Sequence, residues 1–219
     1  MQTLKFTLKG QSPLLMHLDD VEAADEVRKW RQDVDNAVKQ DSPSGDDRFP
    51  TWTWQTYLYH DGERVAWPSC NLMSCLRAAG AQVRTGKGTK SFKAATQSVL
   101  CPLSPFFDFL HNGQAIEMAD VLAFRDDAFS VHKKEAEALG FTLDVRRAAV
   151  GQRKHVRVRP RFDGVWTVTG ELLVQQPEIV PQLETIFRIA GDIGIGDWRP
   201  GSPKSPGPFG RFTAELKIK

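Results

Sequence analysis

With 219 residues, the chain is long enough to bury a substantial core as one large domain or two small ones. Its hydrophobic content of 41% and charged content of 26% are ordinary for a globular protein, and the absence of any apolar run of about eighteen residues argues against a transmembrane helix. The net charge of +2 hides an asymmetry: residues 19–47 hold ten acids and four bases, a local balance of −6 that leaves +8 elsewhere. An acidic segment set against a basic body is compatible with binding a polyanion.

Residues 3–9 alternate Leu4, Phe6 and Leu8 against Lys5, Thr7 and Lys9, the period of a half-buried strand that Gln11-Ser12-Pro13 ends. The opening Gln2-Thr3-Leu4-Lys5-Phe6 lacks the apolar stretch of a signal peptide, so a cytoplasmic location is expected. Asp19 and Asp20 can cap a helix running to about Val38, with Val21, Ala24, Val27, Val34 and Val38 as its apolar stripe, before a polar loop over 42–47. Residues 53–59 and 64–67 read as two strands joined across Asp61-Gly62. Pro68 and Ser69 then start a helix to about Ala81 with Leu72, Leu76 and Ala79 on one face.

The 84–93 stretch holds Arg84, Lys87, Lys90 and Lys93 without an acid, a basic loop able to touch a nucleic-acid backbone. Its Thr85-Gly86-Lys87-Gly88-Thr89-Lys90-Ser91 run lacks the spacing of a nucleotide-binding P-loop. Residues 99–145 leave short strands and a helical insertion both open, with 106–110, 121–124 and 141–145 as candidate pieces. Residues 155–162 read as a strand, Asp163-Gly164 as a turn, and 165–174 as the partner strand. Pro177 begins a helix to about Ala190, with Ile179, Leu183, Ile186, Phe187 and Ile189 as core positions and Gly191 as its stop. A closing strand points Phe212, Ala214, Leu216 and Ile218 inward. The succession strand, helix, strand, strand, helix, strand predicts an α+β, ferredoxin-like antiparallel sheet. The acidic segment of about 19–47 and an irregular one of about 84–145 would be insertions in a single domain spanning 1–219, which also carries a basic β-hairpin.

Two features carry a functional signal. Six glycines fall within 191–210, where Gly194, Gly196 and their neighbours let the backbone approach a ligand closely. Amides left free there can bind phosphate oxygens, with Arg199, Lys204 and Arg211 adding charge. Trp198, Phe209 and Phe212 offer faces for an unpaired base, although Phe212 also fits a core position, and a tight connection plugged by its aromatics is the bland alternative. The second feature is the basic strand. From Arg146 to Arg161 there are seven Lys or Arg, Arg153 among them, and no acid. His155, Arg157, Arg159 and Arg161 alternate with Val156, Val158, Pro160 and Phe162, which places four cationic side chains on one face.

Catalytic signatures are weaker. Cys70, Cys75 and Cys101 have no metal-ligand spacing and read as reduced packing cysteines. His60, His111 and His132 form no metal pattern, and no cofactor motif is present. His17, just past the first strand, is the best candidate for a general base.

Lys5-Phe6-Thr7-Leu8-Lys9-Gly10-Gln11-Ser12-Pro13-Leu14-Leu15-Met16-His17 and Gly194-Ile195-Gly196-Asp197-Trp198-Arg199-Pro200, with Phe209-Gly210-Arg211-Phe212 beyond it, resemble a family of small phage and prophage proteins. The segment Tyr59-His60-Asp61-Gly62 to Trp67-Pro68 fits the same pattern, so the resemblance spans most of the chain. More distantly, a glycine-rich loop between the last helix and last strand is similar to the RAMP superfamily, which includes CRISPR backbone subunits that polymerise along guide RNA and repeat-processing endoribonucleases. The resemblance implies that residues 191–212 contact a nucleic-acid backbone and that a 153–174 hairpin lies across it or against a neighbouring subunit. The expected partners are single-stranded RNA or DNA, further copies of the chain in an oligomer or filament, and other subunits of a ribonucleoprotein, with no membrane, in the cytoplasm of a bacterial host if the chain is phage-derived. An endoribonuclease using His17 and a phage assembly subunit are the alternatives. Pro200-Gly201-Ser202-Pro203-Lys204-Ser205-Pro206-Gly207-Pro208 is an insertion relative to the family pattern.

Overall fold

The structure is a computed structural model that describes residues 1–33, 50–86, 88–150 and 153–219, the side chains of 148–150 and 153–155 excepted. It is a mixed α+β architecture built on two antiparallel sheets. In the main sheet β1 (Gln2–Gly10) is an interior strand, with Leu4, Phe6 and Leu8 buried on one face. β8 (Trp166–Val174) lies antiparallel along one side of β1, with Leu4 opposite Leu172 and Leu8 opposite Val168. β9 (Phe212–Ile218) lies along the other, with Phe6 opposite Leu216. The far side of β8 is shared end to end by β4 (Leu100–Pro102) and β5 (Phe106–His111), and β3 (Ala66–Pro68) pairs outside β5. The order across the sheet is therefore β3-β5-β8-β1-β9.

Helices α2 (Ser69–Gly80) and α6 (Leu183–Ile193) pack together beside this sheet. Leu72, Leu76 and Ala79 of α2 and Ile186, Phe187 and Ala190 of α6 are buried as the helical period predicts. Phe6 joins the layers, its ring 5.0 Å from Phe107 in an edge contact and 6.0 Å from Phe187. The Cys75 thiol donates to the carbonyls of Ala190 and Gly194, 3.4 Å from each, at the helix–helix seam.

The second sheet has the order β2-β7-β6, formed by β2 (Leu14–Leu15), β7 (Arg153–Phe162) and β6 (Thr142–Val150). Here the structure corrects the expected 153–174 hairpin. β7 pairs with the preceding strand β6, Val158 opposite Val145, while β8 crosses to the main sheet. Trp166, Val168, Leu172 and Val174 are all fully or almost fully buried there. At about 2 kcal/mol per buried side chain, that outweighs the local preference of Asp163-Gly164 for a hairpin. A turn still forms at Gly164, at φ 88°.

The expected 53–59 strand is instead a 3-10 helix, Thr51–Tyr57. Trp54 and Gln55, neighbours in sequence, are both buried, which a strand with one solvated face cannot arrange. The Trp54 indole donates to His132 Nδ1 at 3.0 Å and packs against Phe124 and Phe141. His132 lies on α5 (Phe129–Ala138), and burial holds its imidazole below its ordinary pKa, in the neutral form that accepts this bond. Of the expected hairpin across Asp61-Gly62 a single bridge remains, His60 with Val65, closed by an Asp61 carboxylate that accepts the amides of Glu63 and Arg64.

The first helix, α1 (Val21–Gln32), begins at the Asp20 cap, whose carboxylate accepts the amides of Glu22 and Ala23. Its packed face is Ala23, Val27 and Trp30; of the expected stripe Val27 is on it, whereas Val21 and Ala24 are exposed. Val34, Val38 and the 42–47 loop lie outside the described residues. Within 99–145, besides β4, β5, α5 and the start of β6, there are two short helices, α3 (Lys93–Ser98) just before and α4 (Met118–Leu122) inside, so both readings of that region apply in part. The last helix opens with a 3-10 turn, Pro177–Gln182, and runs through Gly191 to end at Gly194, φ 76°. Gly191 is thus inside the helix, and a Cβ there would lie 2.0 Å from the Phe212 carbonyl oxygen of β9.

Candidate functional site

The two sheets meet where residues 11–17 leave β1. β2 pairs with β7, Leu14 opposite Phe162 and Leu15 opposite Arg161. From the other side the loop after α6 closes over the same segment. The Asp197 amide donates to the Leu15 carbonyl (2.9 Å), the Gly210 amide to Pro13 (2.8 Å), and the Gln11 amide to Arg211 (2.7 Å). Residues far apart in sequence are thereby gathered around His17, Asp197 and the arginines of β6 and β7.

Most amides of that loop are already engaged: those of Gly194, Ile195, Asp197, Trp198, Gly201, Ser202, Gly207, Gly210 and Arg211 all donate within the chain, so few remain for a phosphate. Its glycines serve close backbone packing. Gly210 has φ 74°, and a Cβ there would sit 1.7 Å from the Ile195 carbonyl oxygen; Gly196 has φ 81°, with Leu15 O at 2.5 Å. Phe209 and Phe212 are buried, and Trp198 is half-buried with its ring 5.6 Å from Phe209.

The charges form a continuous chain. Arg159, whose side chain is only 8% exposed, donates through Nη1 to Asp197 Oδ2 (2.6 Å) and through Nη2 to Asp144 Oδ1 (3.0 Å). Arg146 Nε donates to the other oxygen of Asp144 (2.8 Å), and its guanidinium lies 4.7 Å over Trp198 and 5.6 Å over Phe209. Arg161 pairs with Asp163 (2.6 Å) and lies 5.9 Å over Phe209. Burial works to raise the Asp197 carboxyl, but the contacts with His17 and Arg159 outweigh it and hold the group well below the usual carboxylate range. The β7 arginines therefore do not form a uniform exposed row. Arg159 is an internal tie between the β6–β7 hairpin and the loop, and Arg157 is half-buried beside Tyr57.

His17 sits at the end of this chain. Its Nδ1 is 3.6 Å from Asp197 Oδ2 and its Nε2 3.7 Å from Asp19 Oδ1, both beyond direct hydrogen-bond length. The ring stacks on Tyr57 at 4.2 Å and 20°, and the Tyr59 hydroxyl donates to the His17 carbonyl (3.0 Å). Burial raises the Tyr57 phenol, partly offset by Arg157, Arg31 and Arg159. Beside His17 and Tyr57 opens a cleft of about 500 Å³, walled by Val27 and Arg31 of α1, Thr53 of the 3-10 helix and Val156 of β7.

Among the other expected site residues, Lys204 is exposed and Arg211 is exposed but paired with Asp192 (2.9 Å). Arg199 folds back to donate to the Gly196 carbonyl (2.9 Å). Lys90 is exposed in a turn closed by the Thr85 amide on its own carbonyl (3.0 Å), and takes no part in the contacts that hold the His17 cluster. Lys87 and the side chains of Arg153 and His155 lie outside the described residues. Sequence reasoning missed Asp144, Asp197 and Tyr57 as site residues, and counted Arg146 only as part of the basic run. Asp197 was legible as the acid inside the Gly-Asp-Trp-Arg-Pro segment, and Asp144 as the lone acid preceding a basic run.

The open face of the main sheet carries Lys5, Thr7 and Lys9 of β1, Thr167, Thr169 and Glu171 of β8, and Thr213 and Glu215 of β9. Lys5 pairs with Glu171 and Lys9 with Glu215 (2.5 Å each). None of these three strands presents an aromatic side chain there; on that face the aromatic is Phe106 of β5, half-buried. Among the described residues, no helix is long and apolar enough to cross a membrane. No protein-family model matches the chain, and no curated protein matches it.

Proposed function

We propose that the protein binds single-stranded RNA or DNA without cleaving it, along the β6–β7 hairpin and the adjoining loop after α6. The observation that carries this reading is the charge of the hairpin: residues 142–162 hold seven Lys or Arg against a single acid, Asp144. That formal charge of seven cations to one acid favours an anionic partner. Trp198, half-buried under Arg146, adds an aromatic edge beside that charge. The strand order supports a ferredoxin-like core of RAMP type, since β1, β4/β5, β8 and β9 taken as strands one to four run 4-1-3-2 with α2 and α6 as the two crossover helices. The ligand, on this reading, is gripped by side chains of the hairpin and not by the amides of the loop.

Fluorescence polarisation of labelled single-stranded oligonucleotides tests it. Affinity should fall with log salt at a slope of about −0.7 per phosphate contacted, and Arg157→Ala should weaken binding and flatten that slope. Affinity that stays flat from low to moderate salt rejects the reading. A second reading, a metal-independent endoribonuclease, is favoured by one observation: His17 is held between Asp197, Asp19 and the Tyr57 ring at the edge of a cleft. It requires RNA cleavage in EDTA that His17→Ala abolishes while binding persists.

A further inference from the structure

β9 is the free edge of the main sheet among the described residues. At the opposite edge β3 is three residues long, and the segment leading into it is covered: the Val65 amide donates to Ile116 (2.9 Å) and the Met118 amide to Glu63 (2.8 Å). The ladder with β1 decides which groups of β9 face outward. Thr3 and Lys219 exchange both of their backbone bonds (3.2 and 2.9 Å), and Gln11 takes the Arg211 carbonyl at the other end. By the alternation of an antiparallel pair, odd-numbered residues of β9 turn their backbone groups to β1. The amides and carbonyls of Ala214, Leu216 and Ile218 therefore point away from the sheet.

We infer that this edge pairs with β9 of a second copy of the chain, antiparallel, about a two-fold axis at Leu216. In that register Leu216 meets Leu216 of the second copy, Ala214 meets Ile218, and their outward backbone groups bond to one another. Ile218, 42% exposed in the single chain, gains a neighbour. Glu215 then stands opposite Lys217 and Lys217 opposite Glu215, at the non-hydrogen-bonded positions where side chains approach most closely. Charge selects this register. The nearest alternatives that keep the outward groups in phase slide the strands by two residues, and they set Glu215 against Glu215 or Lys217 against Lys217. The Glu215 side chain is 62% exposed, so its contact with Lys9 leaves it open to a second cation. With the β3 edge short and covered, the contact closes as a pair, one continuous sheet presenting two β6–β7 hairpins. Lysines on an exposed edge can instead serve to repel such pairing, and the experiment separates the two.

The inference does not depend on nucleic-acid binding, and its test uses nuclease-treated protein free of it. Sedimentation equilibrium of the full chain should show a reversible monomer–dimer equilibrium that weakens with salt. Glu215→Lys and Lys217→Glu should each raise the dimer dissociation constant by about tenfold or more, and the double exchange should restore it to near the wild-type value. Ile218→Pro, which removes an outward amide and spares the β1 ladder, should weaken the dimer at an unchanged melting temperature. A monomer at every concentration overturns the inference. So does a dimer equally tight in all variants, or a double exchange weaker than either single one. Should a charge variant fail to fold, the Ile218→Pro comparison still decides. Oligonucleotide polarisation below the dimerisation range is a separate readout, so failure of one proposal leaves the other standing.

Discussion

Arg159 shows how much a single side chain can be repurposed by its surroundings. On the period of a strand it belongs to an exposed cationic row with Arg157 and Arg161, yet it is buried and committed to two carboxylates from different parts of the chain. Removing Arg159 leaves the buried Asp144 with Arg146 as its remaining partner and Asp197 with the more distant His17. Arg159→Ala should therefore destabilise the fold by about 3 kcal/mol in urea unfolding at neutral pH. The same cluster sets an acid limit. Because the folded-state pKa of Asp197 is depressed, its ionised form stabilises the fold at every pH above the unfolded carboxylate value near 4, and that contribution is lost as pH falls below it. Unfolding curves from pH 7 to pH 3 should show a shallower acid loss in Asp197→Asn than in wild type. Neither carboxylate was visible as a partner in the sequence, because pairing depends on which strands become neighbours.

At the scale of elements, the main-sheet strands and the two packed helices were legible because each buries one face and the residues alternate accordingly. β1, β9, α2 and the core positions of α6 all fall within the expected ranges, give or take a turn. The 51–57 segment was not legible: its aromatic residues suit a strand, and only the pocket formed by Phe124, His132 and Phe141 for Trp54 selects the 3-10 turn. The α2–α6 seam makes a chemical prediction. Burial pushes the Cys75 thiol up to about 12, whereas Cys70 and Cys101 are exposed. A thiol reagent at pH 8 should modify two cysteines of the native protein promptly, and the third only after unfolding. The loop after α6 makes a mechanical one. Gly210→Ala forces a Cβ against the Ile195 carbonyl at a positive φ and should cost about 2–4 kcal/mol, detected as a lower denaturation midpoint.

For the whole molecule, the decisive contact is the one between the two sheets. Phe162 of β7 lies 5.0 Å from Phe109 of the main sheet and 5.1 Å from Phe141 beside β6, with His111 at 5.4 Å. The hairpin that carries the basic charge is thus rooted in the same core as β1 and β8. Unfolding followed by tryptophan fluorescence and by circular dichroism should coincide in one transition. Phe162→Ala should lower that transition as a unit, by about 3–5 kcal/mol, rather than release the hairpin alone. Two separate transitions would show that the sheets fold independently.

Periodicity and composition were enough to determine an α+β chain with strands at both ends, an amphipathic helix before each of two loops, and a strongly basic 146–161 segment. Those features follow from how each residue pairs a backbone preference with a hydrophobic or charged side chain, and they are local. Only the tertiary structure decided that β7 turns back to β6 rather than forward to β8, since the burial of Trp166, Val168 and Leu172 against β1 outweighs the nearby turn. It also decided that the glycines of the last loop serve packing against residues 13–15 and 195, and that Arg159 is a tie between layers. Long-range partners settle how each amide and each charge is satisfied, and those partners come together only once the chain has closed on itself.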